Sequence, residues 1–204
     1  MHPAAAFLVA DRQPLLAQLR AQPFVTLCAA PDGRPRVAQA PVVIGEAGGV
    51  LTLDFHLART NTLAPFLADG FHAVAVSLGT HAYISPDWYG APDQVPTWNY
   101  LTVEAGGPVA AMDDAWLAGL LDRLSAQEEA RLAPKPPWTR TKMSPGRFEA
   151  MLRGIVGVRL TVERLEGTFK VSQNKTAEQR AGVVRALGAH PIAALVAATI
   201  PPGA

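Results

Sequence analysis

The chain has 204 residues, 49% of them hydrophobic and 17% charged, with a net charge of +1 and one cysteine, Cys28. That composition excludes intrinsic disorder, and a lone cysteine excludes both an intramolecular disulfide and a multi-cysteine zinc site. The near-zero charge argues against a surface given over wholly to nucleic acid.

The length predicts one domain over residues 1–204, large enough to bury a core without staples. No apolar run reaches the roughly 18 residues of a membrane helix. Met1-His2-Pro3-Ala4-Ala5-Ala6-Phe7 carries no basic region, and Asp11 and Arg12 interrupt the apolar stretch early. That is a poor signal peptide, so a cytoplasmic location with no membrane partner is expected.

Asp11 ahead of Pro14, Leu15, Leu16 and Leu19 predicts a short capped helix with proline in its first turn. Phe24 to Ala30 reads as a strand, Pro31-Asp32-Gly33-Arg34-Pro35 as a turn, and Val37 to Ile44 as its partner. Gly45 to Gly49 is the next turn. Val50 to Phe55 alternates apolar with polar residues, as a half-buried strand does. Tight turns between three strands predict a meander.

His56 to Asn61 leaves that strand, and Asn61 is placed to cap a short helix over Thr62 to Ala68. Phe71 to Leu78 reads as a strand with small Ala73, Ala75 and Ser77 on one side. A separate extended piece ends at Tyr83-Ile84-Ser85-Pro86. Thr97 to Glu104 is the next strand, with Gly106-Gly107 predicting a bulge or bend before Val109 to Met112.

Asp113-Asp114 opens the best helix, whose apolar face is Trp116, Leu117, Leu120, Leu121 and Leu124. After Pro134, Pro136 and Pro137, Ser144-Pro145 starts a helix reaching about Arg153. Val158, Leu160 and Val162 alternate with polar residues, and Glu166-Gly167 is read as a turn into a last strand ending near Val171. A helical C-terminal segment covers about 176–200. Thr176 and Gln179 form a capping box there, and Gly188 stops the first helix near Leu187. Pro191 to Ile200 reads as an amphipathic or dimer-packing helix. No βαβ rhythm appears, so the fold class is α+β, mainly β: a small antiparallel barrel, closed or split, with peripheral helices.

Neither a glycine-rich dinucleotide fingerprint nor a P-loop is present. The five histidines show no metal-ligand spacing, so no metal is assigned. Ser85 stands in no nucleophile-elbow context, and no catalytic residue is assigned. Arg59 follows a strand and precedes a capped helix, so its guanidinium and free helix N–H groups could face one anion. It reads equally as a surface arginine at a strand end, and Asn61 as an N-cap and nothing more.

All three tyrosines and two of the four tryptophans fall between positions 83 and 100. Such a cluster suits a flat heterocycle or a subunit interface, and one surface can serve as both. Arg131, Lys135, Arg140, Lys142 and Arg147 have no acid between them. They read first as a solvated face and second as a stretch along a phosphate backbone, which keeps DNA among the partners considered.

These segments together resemble the PaiB family, FMN-binding negative transcriptional regulators of the pyridoxamine-phosphate-oxidase-like split-barrel superfamily. The residues that carry the resemblance are His56-Leu57-Ala58-Arg59-Thr60-Asn61, Ala82-Tyr83-Ile84-Ser85-Pro86-Asp87-Trp88-Tyr89 and Val95-Pro96-Thr97-Trp98-Asn99-Tyr100. Further on come Gly154-Ile155-Val156-Gly157 and Gly167-Thr168-Phe169-Lys170-Val171-Ser172-Gln173-Asn174-Lys175.

The resemblance implies a homodimer of split barrels with FMN in a groove at the subunit interface. In that scheme His56, Arg59 and Asn61 bind the cofactor, Arg59 with Asn61 at its phosphate. Thr97, Trp98 and Asn99, with Lys170, Gln173 and Asn174, border the flavin or the substrate space beside it. The function implied is a negative transcriptional regulator. The alternatives are an FMN-dependent oxidoreductase, or a flavin- or haem-binding protein without turnover. Two departures bear on ligand specificity: the family's Met-Tyr-x-Pro opening is Met1-His2-Pro3 here, and a histidine usual in the second strand is Gln39.

Overall fold

Asp32 makes the first strand turn. Its carboxylate accepts from Arg36 Nη2 at 2.6 Å and from the Arg34 amide at 3.3 Å, while Gly33 takes the left-handed conformation at φ +79°. The turn joins β2 (Phe24–Ala29) to β3 (Arg36–Pro41) antiparallel, in a register running from Phe24↔Pro41 to Ala29↔Arg36. These strands belong to a computed structural model that describes residues 4–201, so the Met1-His2-Pro3 departure lies outside the described residues. The chain divides into two compact units. One holds Pro23–Ser77 and Glu104–Leu165; the other holds the segment ending at Gln22, Leu78–Val103 and the segment beginning at Glu166.

In the first unit, β4 (Val43–Ala47) and β5 (Val50–Ala58) form a second hairpin, paired from Val43↔Asp54 to Ala47↔Val50. The expected meander is not formed. With β6 (Phe71–Ile84), β7 (Thr97–Met112) and β8 (Ile155–Thr161), the strand order is β3-β2-β6-β7-β8-β5-β4, so β3 and β4 are the two edges. Only Val42 separates them in sequence, fully buried with its amide on the Pro23 carbonyl at 2.9 Å. One residue cannot cross a sheet six strand spacings wide, roughly 4.8 Å each. The sheet therefore curls until its edges approach. It is a split barrel, left open because β3 and β4 do not pair.

Two expected breaks are absent. β6 runs through Leu78-Gly79-Thr80 without interruption, and β7 runs through Gly106-Gly107. Gly107 stands where another backbone approaches closely: a Cβ there would meet the Thr161 carbonyl oxygen at 1.9 Å. Glu166-Gly167 lies inside β9 (Arg164–Lys170), and the turn falls earlier, where the Val162 and Glu163 amides donate to Leu51 and Gly106. β5, expected to be half-buried, extends to Ala58 and is covered on both faces, Thr52 and Asp54 included. Helix α2 (Asp114–Ala130) starts where Asp113 Oδ1 accepts from the Trp116 amide at 2.7 Å, and it buries Leu117, Leu120 and Leu124. Helix α3 (Arg147–Leu152) is shorter than the sequence suggests.

In the second unit, β1 (Leu8–Val9) pairs with β9, and α1 (Arg12–Ala21) is capped by Asp11 and buries Leu15, Leu16 and Leu19. Helix α4 (Ala177–Leu187) carries the capping box of Thr176 and Gln179. Helix α5 (Pro191–Ala197) turns Ile192 and Val196 into a core with Ile84, Tyr89, Leu101 and Val183. The apolar face expected for dimer packing is thus occupied within its own unit. Gly182, in the middle of α4, lies against the 3₁₀ turn Pro86–Tyr89, and a Cβ there would meet the Trp88 carbonyl oxygen at 2.1 Å. Among the described residues no helix is long and apolar enough to cross a membrane.

Candidate functional site

The end of β5 aims three of the expected residues. His56 is partly buried and lines a cavity of about 360 Å³ with Leu121, Phe148, Met151 and Ile155. Its Nδ1 is buried without a hydrogen-bond partner, and burial pushes its pKa below the usual histidine range. Neutral imidazole is the stable form there.

Arg59, just past the strand, is latched twice to the turn before β8. Its amide donates to Gly154 O at 2.9 Å and its Nε to Arg153 O at 3.1 Å. The side chain is half exposed, with Asp114 Oδ1 at 3.8 Å from Nη2. A pair that long and exposed is weak. Arg59 does not line the His56 cavity.

Asn61 makes an Asx turn ahead of the next element, whose N-cap position is taken by Leu63 and not, as expected, by Asn61. Its Oδ1 accepts from the Leu63 amide at 2.9 Å and its carbonyl from the Ala64 amide at 3.0 Å. The element that follows is a second correction. Ala64–Ala68 is one 3₁₀ turn with Pro65 near its start, not a helix with free N–H groups. Asn61 itself takes up the leading amides. Among the described residues the backbone amides of Thr60 and Thr62 have no hydrogen bond of this turn.

In the second unit, β7 and the turn after β9 bring four other expected residues together. Thr97, Asn99, Lys170 and Asn174 line one cavity of about 340 Å³, joined by Lys175 and Ser172. Lys170 Nζ donates to Thr97 Oγ1 at 2.7 Å, and Asn99 Nδ2 donates to Ser172 Oγ at 2.8 Å. Burial, with the charge of Lys175 added, holds the Lys170 pKa below the usual lysine range. Trp98 is not among these residues. The period of two along a strand turns it to the opposite face, where it is 54% exposed and meets Tyr83 edge-on at 6.1 Å. Gln173 also stands outside the lining. It braces the turn, accepting from the Val171 amide at 2.8 Å and donating to Phe169 O and Ala6 O.

The aromatic stretch 83–100 therefore splits, with Tyr89 in the core and Tyr83 and Trp98 on the surface. Gln39 is exposed on β3. Three of the five cations of the basic stretch 131–147 pair with acids on α2: Arg131 with Glu128, Lys135 with Glu129, and Arg140 with Asp122. One charged cluster was missed by sequence reasoning. Buried Asp54 accepts from Arg159 Nε at 2.8 Å and Nη2 at 2.9 Å, with Arg123 at 3.4 Å.

Comparison with known proteins places this architecture. Protease synthase and sporulation protein PAI 2 of Bacillus subtilis (strain 168) is 28% identical over 164 residues, 80% of this chain and 78% of that protein. An uncharacterized protein of Aspergillus fumigatus is 31% identical over 122 residues, 51% of this chain and 47% of that protein. The chain spans about half the length of that fungal relative. Among solved structures, the FAD and heme binding protein from Mycobacterium smegmatis superposes with a TM-score of 0.57 at 17% identity, over 80% of this chain and 73% of that one. The flavocytochrome Anf3 from Azotobacter vinelandii gives 0.53 at 15% identity, over 83% and 72%. At such identities these two show a shared fold. The resemblance to the PaiB family stands on the PAI 2 relative. A family model described as "Putative FMN-binding domain" matches residues 1–164, most of the chain, and it is to this family that the chain belongs.

Proposed function

We propose that the chain binds FMN as a cytoplasmic homodimer of the PaiB type, and that Arg59 holds the flavin phosphate. The observation that carries this reading is the double latch of Arg59 onto Arg153 and Gly154, found in a member of this family. A guanidinium pinned through Nε leaves its terminal nitrogens, one of them weakly paired with Asp114, to grip two oxygens of one phosphate. The amides of Thr60 and Thr62 add donors of the right polarity beside it. This donor set suits a phosphate monoester. The dimer is supported by Leu78, Tyr83, Val95 and Trp98, large apolar residues that one unit leaves about half or more exposed.

When bound, the flavin supplies redox chemistry that the amino acids lack. The part left to this chain is to grip the phosphate, orient the ring and exclude water. Between a regulator and an FMN-dependent oxidoreductase, the pairing of Arg131, Lys135 and Arg140 with acids of α2 favours the oxidoreductase. Cations already neutralised have little charge left for a phosphate backbone.

The test is the visible spectrum and flavin content of protein purified without added cofactor, with sedimentation of the same sample. The expected result is a flavin spectrum, one FMN per protomer and a dimer. A colourless protein that leaves FMN fluorescence unchanged on titration overturns the reading.

A further inference from the structure

The 340 Å³ cavity of the second unit carries a charge imbalance. Lys170 and Lys175 both line it, and no carboxylate does. Among the described residues each ammonium has one hydrogen bond, Lys170 to Thr97 Oγ1 at 2.7 Å and Lys175 to Gln94 Oε1 at 2.6 Å. Both acceptors are neutral. Each cation also stands over an aromatic face, Lys170 at 5.5 Å from the Phe7 centroid and Lys175 at 4.7 Å from that of Tyr89. Ring faces attract a cation without cancelling its charge. Each ammonium therefore retains unused N–H donors. Two like charges on one partly desolvated cavity are unfavourable until an anion offsets them.

Asn99 supplies a second, independent sign. It is fully buried, one end of its amide is held by Ser172, and the other end, Oδ1, has no partner. A hydroxyl both donates and accepts, so Ser172 can hold the amide from either end and leave Asn99 an acceptor or a donor for a ligand. Ser172 is itself in the left-handed region at φ +59°, a conformation a non-glycine residue keeps only where its surroundings impose it. The braces of Gln173 impose it here.

We propose that this cavity binds the oxyanion of a small organic molecule other than the flavin. Its carboxylate or phosphate engages Lys170 and Lys175, Asn99 makes a further polar contact, and a flat apolar body lies against Phe7 and Tyr89. The proposal goes beyond flavin binding and stands independently of what Arg59 holds.

The experiment titrates benzoate, inorganic phosphate and, as the neutral counterpart, benzyl alcohol into the full chain. The readouts are the NMR signals of the Asn99 side-chain amide and the Tyr89 ring, with calorimetry in parallel. Saturable shifts with benzoate but not with benzyl alcohol are expected. Lys170→Met and Lys175→Met should each weaken benzoate at least tenfold, and Lys170→Arg, the charge-preserving control, should weaken it less. Phosphate saturating the same signals marks the oxyanion itself as the recognised group. Arg59→Ala should leave benzoate binding unchanged.

Three results overturn the proposal. One is signals that neither anion moves at tens of millimolar. A second is equal benzoate affinity in wild type and in a folded double Met variant. The third is displacement of benzoate by FMN but not riboflavin, with Lys170→Met weakening FMN, since the cavity would then hold the flavin phosphate. A wild type that binds benzoate but no flavin sinks the FMN reading and leaves this one standing.

Discussion

Arg59 Nε donates to the carbonyl oxygen of Arg153 at 3.1 Å, tying the residue after β5 to the turn before β8. β5 and β8 are already paired from Thr52↔Thr161 to Ala58↔Ile155, so the latch continues a ladder into a loop. A long side chain that would otherwise sample many rotamers is held in one family of them. The entropy of ordering it is lost on folding and not on binding.

Replacing Arg59 with Ala should therefore weaken FMN by about 2 kcal/mol, the low end for a charged contact, because the side chain is half exposed. Riboflavin, which lacks the phosphate, should lose far less. Arg59→Lys should recover only part, since an ammonium cannot reproduce the fork. Flavin fluorescence titrations of both flavins against the three proteins measure this. Equal weakening of FMN and riboflavin would reduce Arg59 to a surface residue at a strand end.

Asp54 carries a structural prediction for the first unit. Its carboxylate is buried, bidentate with Arg159 and in reach of Arg123, and both guanidinium groups lie over Trp116 at 5.3 and 5.8 Å. The Asp54 hydrogen bond raises the Arg159 pKa. Asp54→Asn keeps the shape and removes the charge, and should cost about 1.5–3 kcal/mol. Arg123→Ala, at 3.4 Å and half exposed, should cost under about 1 kcal/mol. Urea denaturation of the three proteins ranks the two effects. An Arg123 variant as damaged as Asp54→Asn would contradict the bidentate assignment.

Much of this was legible in the chain, and what was not has a physical cause. The α4 capping box and the Asp113 cap are local, needing only residues three apart, and both are where the sequence puts them. The meander failed because turn chemistry fixes that the chain reverses, not which strand lies beside it. Val42 hides the change of partner in a single residue. Asp54 reads as the wet side of an alternating strand until α2 covers that side. Lys170 and Asn174 were identified through a motif. Lys175 stands in the same motif but is not expected at the site, because its position on the cavity depends on how the turn after β9 folds back toward Gln94.

Gly106 and Gly107 offer a paired test of strand β7. A Cβ on Gly107 would meet the backbone carbonyl of Thr161 at 1.9 Å, whereas on Gly106 it would meet only the Arg164 guanidinium at 3.5 Å. Backbone cannot step aside, and a flexible side chain can. Gly107→Ala should cost more than the roughly 1–3 kcal/mol usual for overpacking, or prevent folding. Gly106→Ala should be neutral within about 1 kcal/mol, helped by the reduced freedom of the unfolded chain. Thermal unfolding of both variants decides it, and similar melting temperatures would show that β7 bends at this pair after all.

His56 gives the chain a dependence on pH whose sign follows from its surroundings. Its Nδ1 is buried without a partner, and Asp122 and Arg140, which share its cavity, pair with each other at 3.3 Å. Burial disfavours the imidazolium, so the folded-state pKa lies below the ordinary value of 6.5. Between those two values the unfolded chain holds a proton at this residue that the folded chain does not. Stability therefore rises with pH through that window, is complete above 6.5, and is lost as pH falls toward the folded pKa. One proton bounds the slope at about 1.4 kcal/mol per pH unit. Urea denaturation of wild type and His56→Leu on both sides of that value isolates the contribution, because the two proteins differ at this residue alone. The difference between the two should be constant above the window and shift in favour of the leucine variant as the pH drops through it. Parallel profiles across the whole range would mean that water reaches His56 and that the cavity beside it is wet.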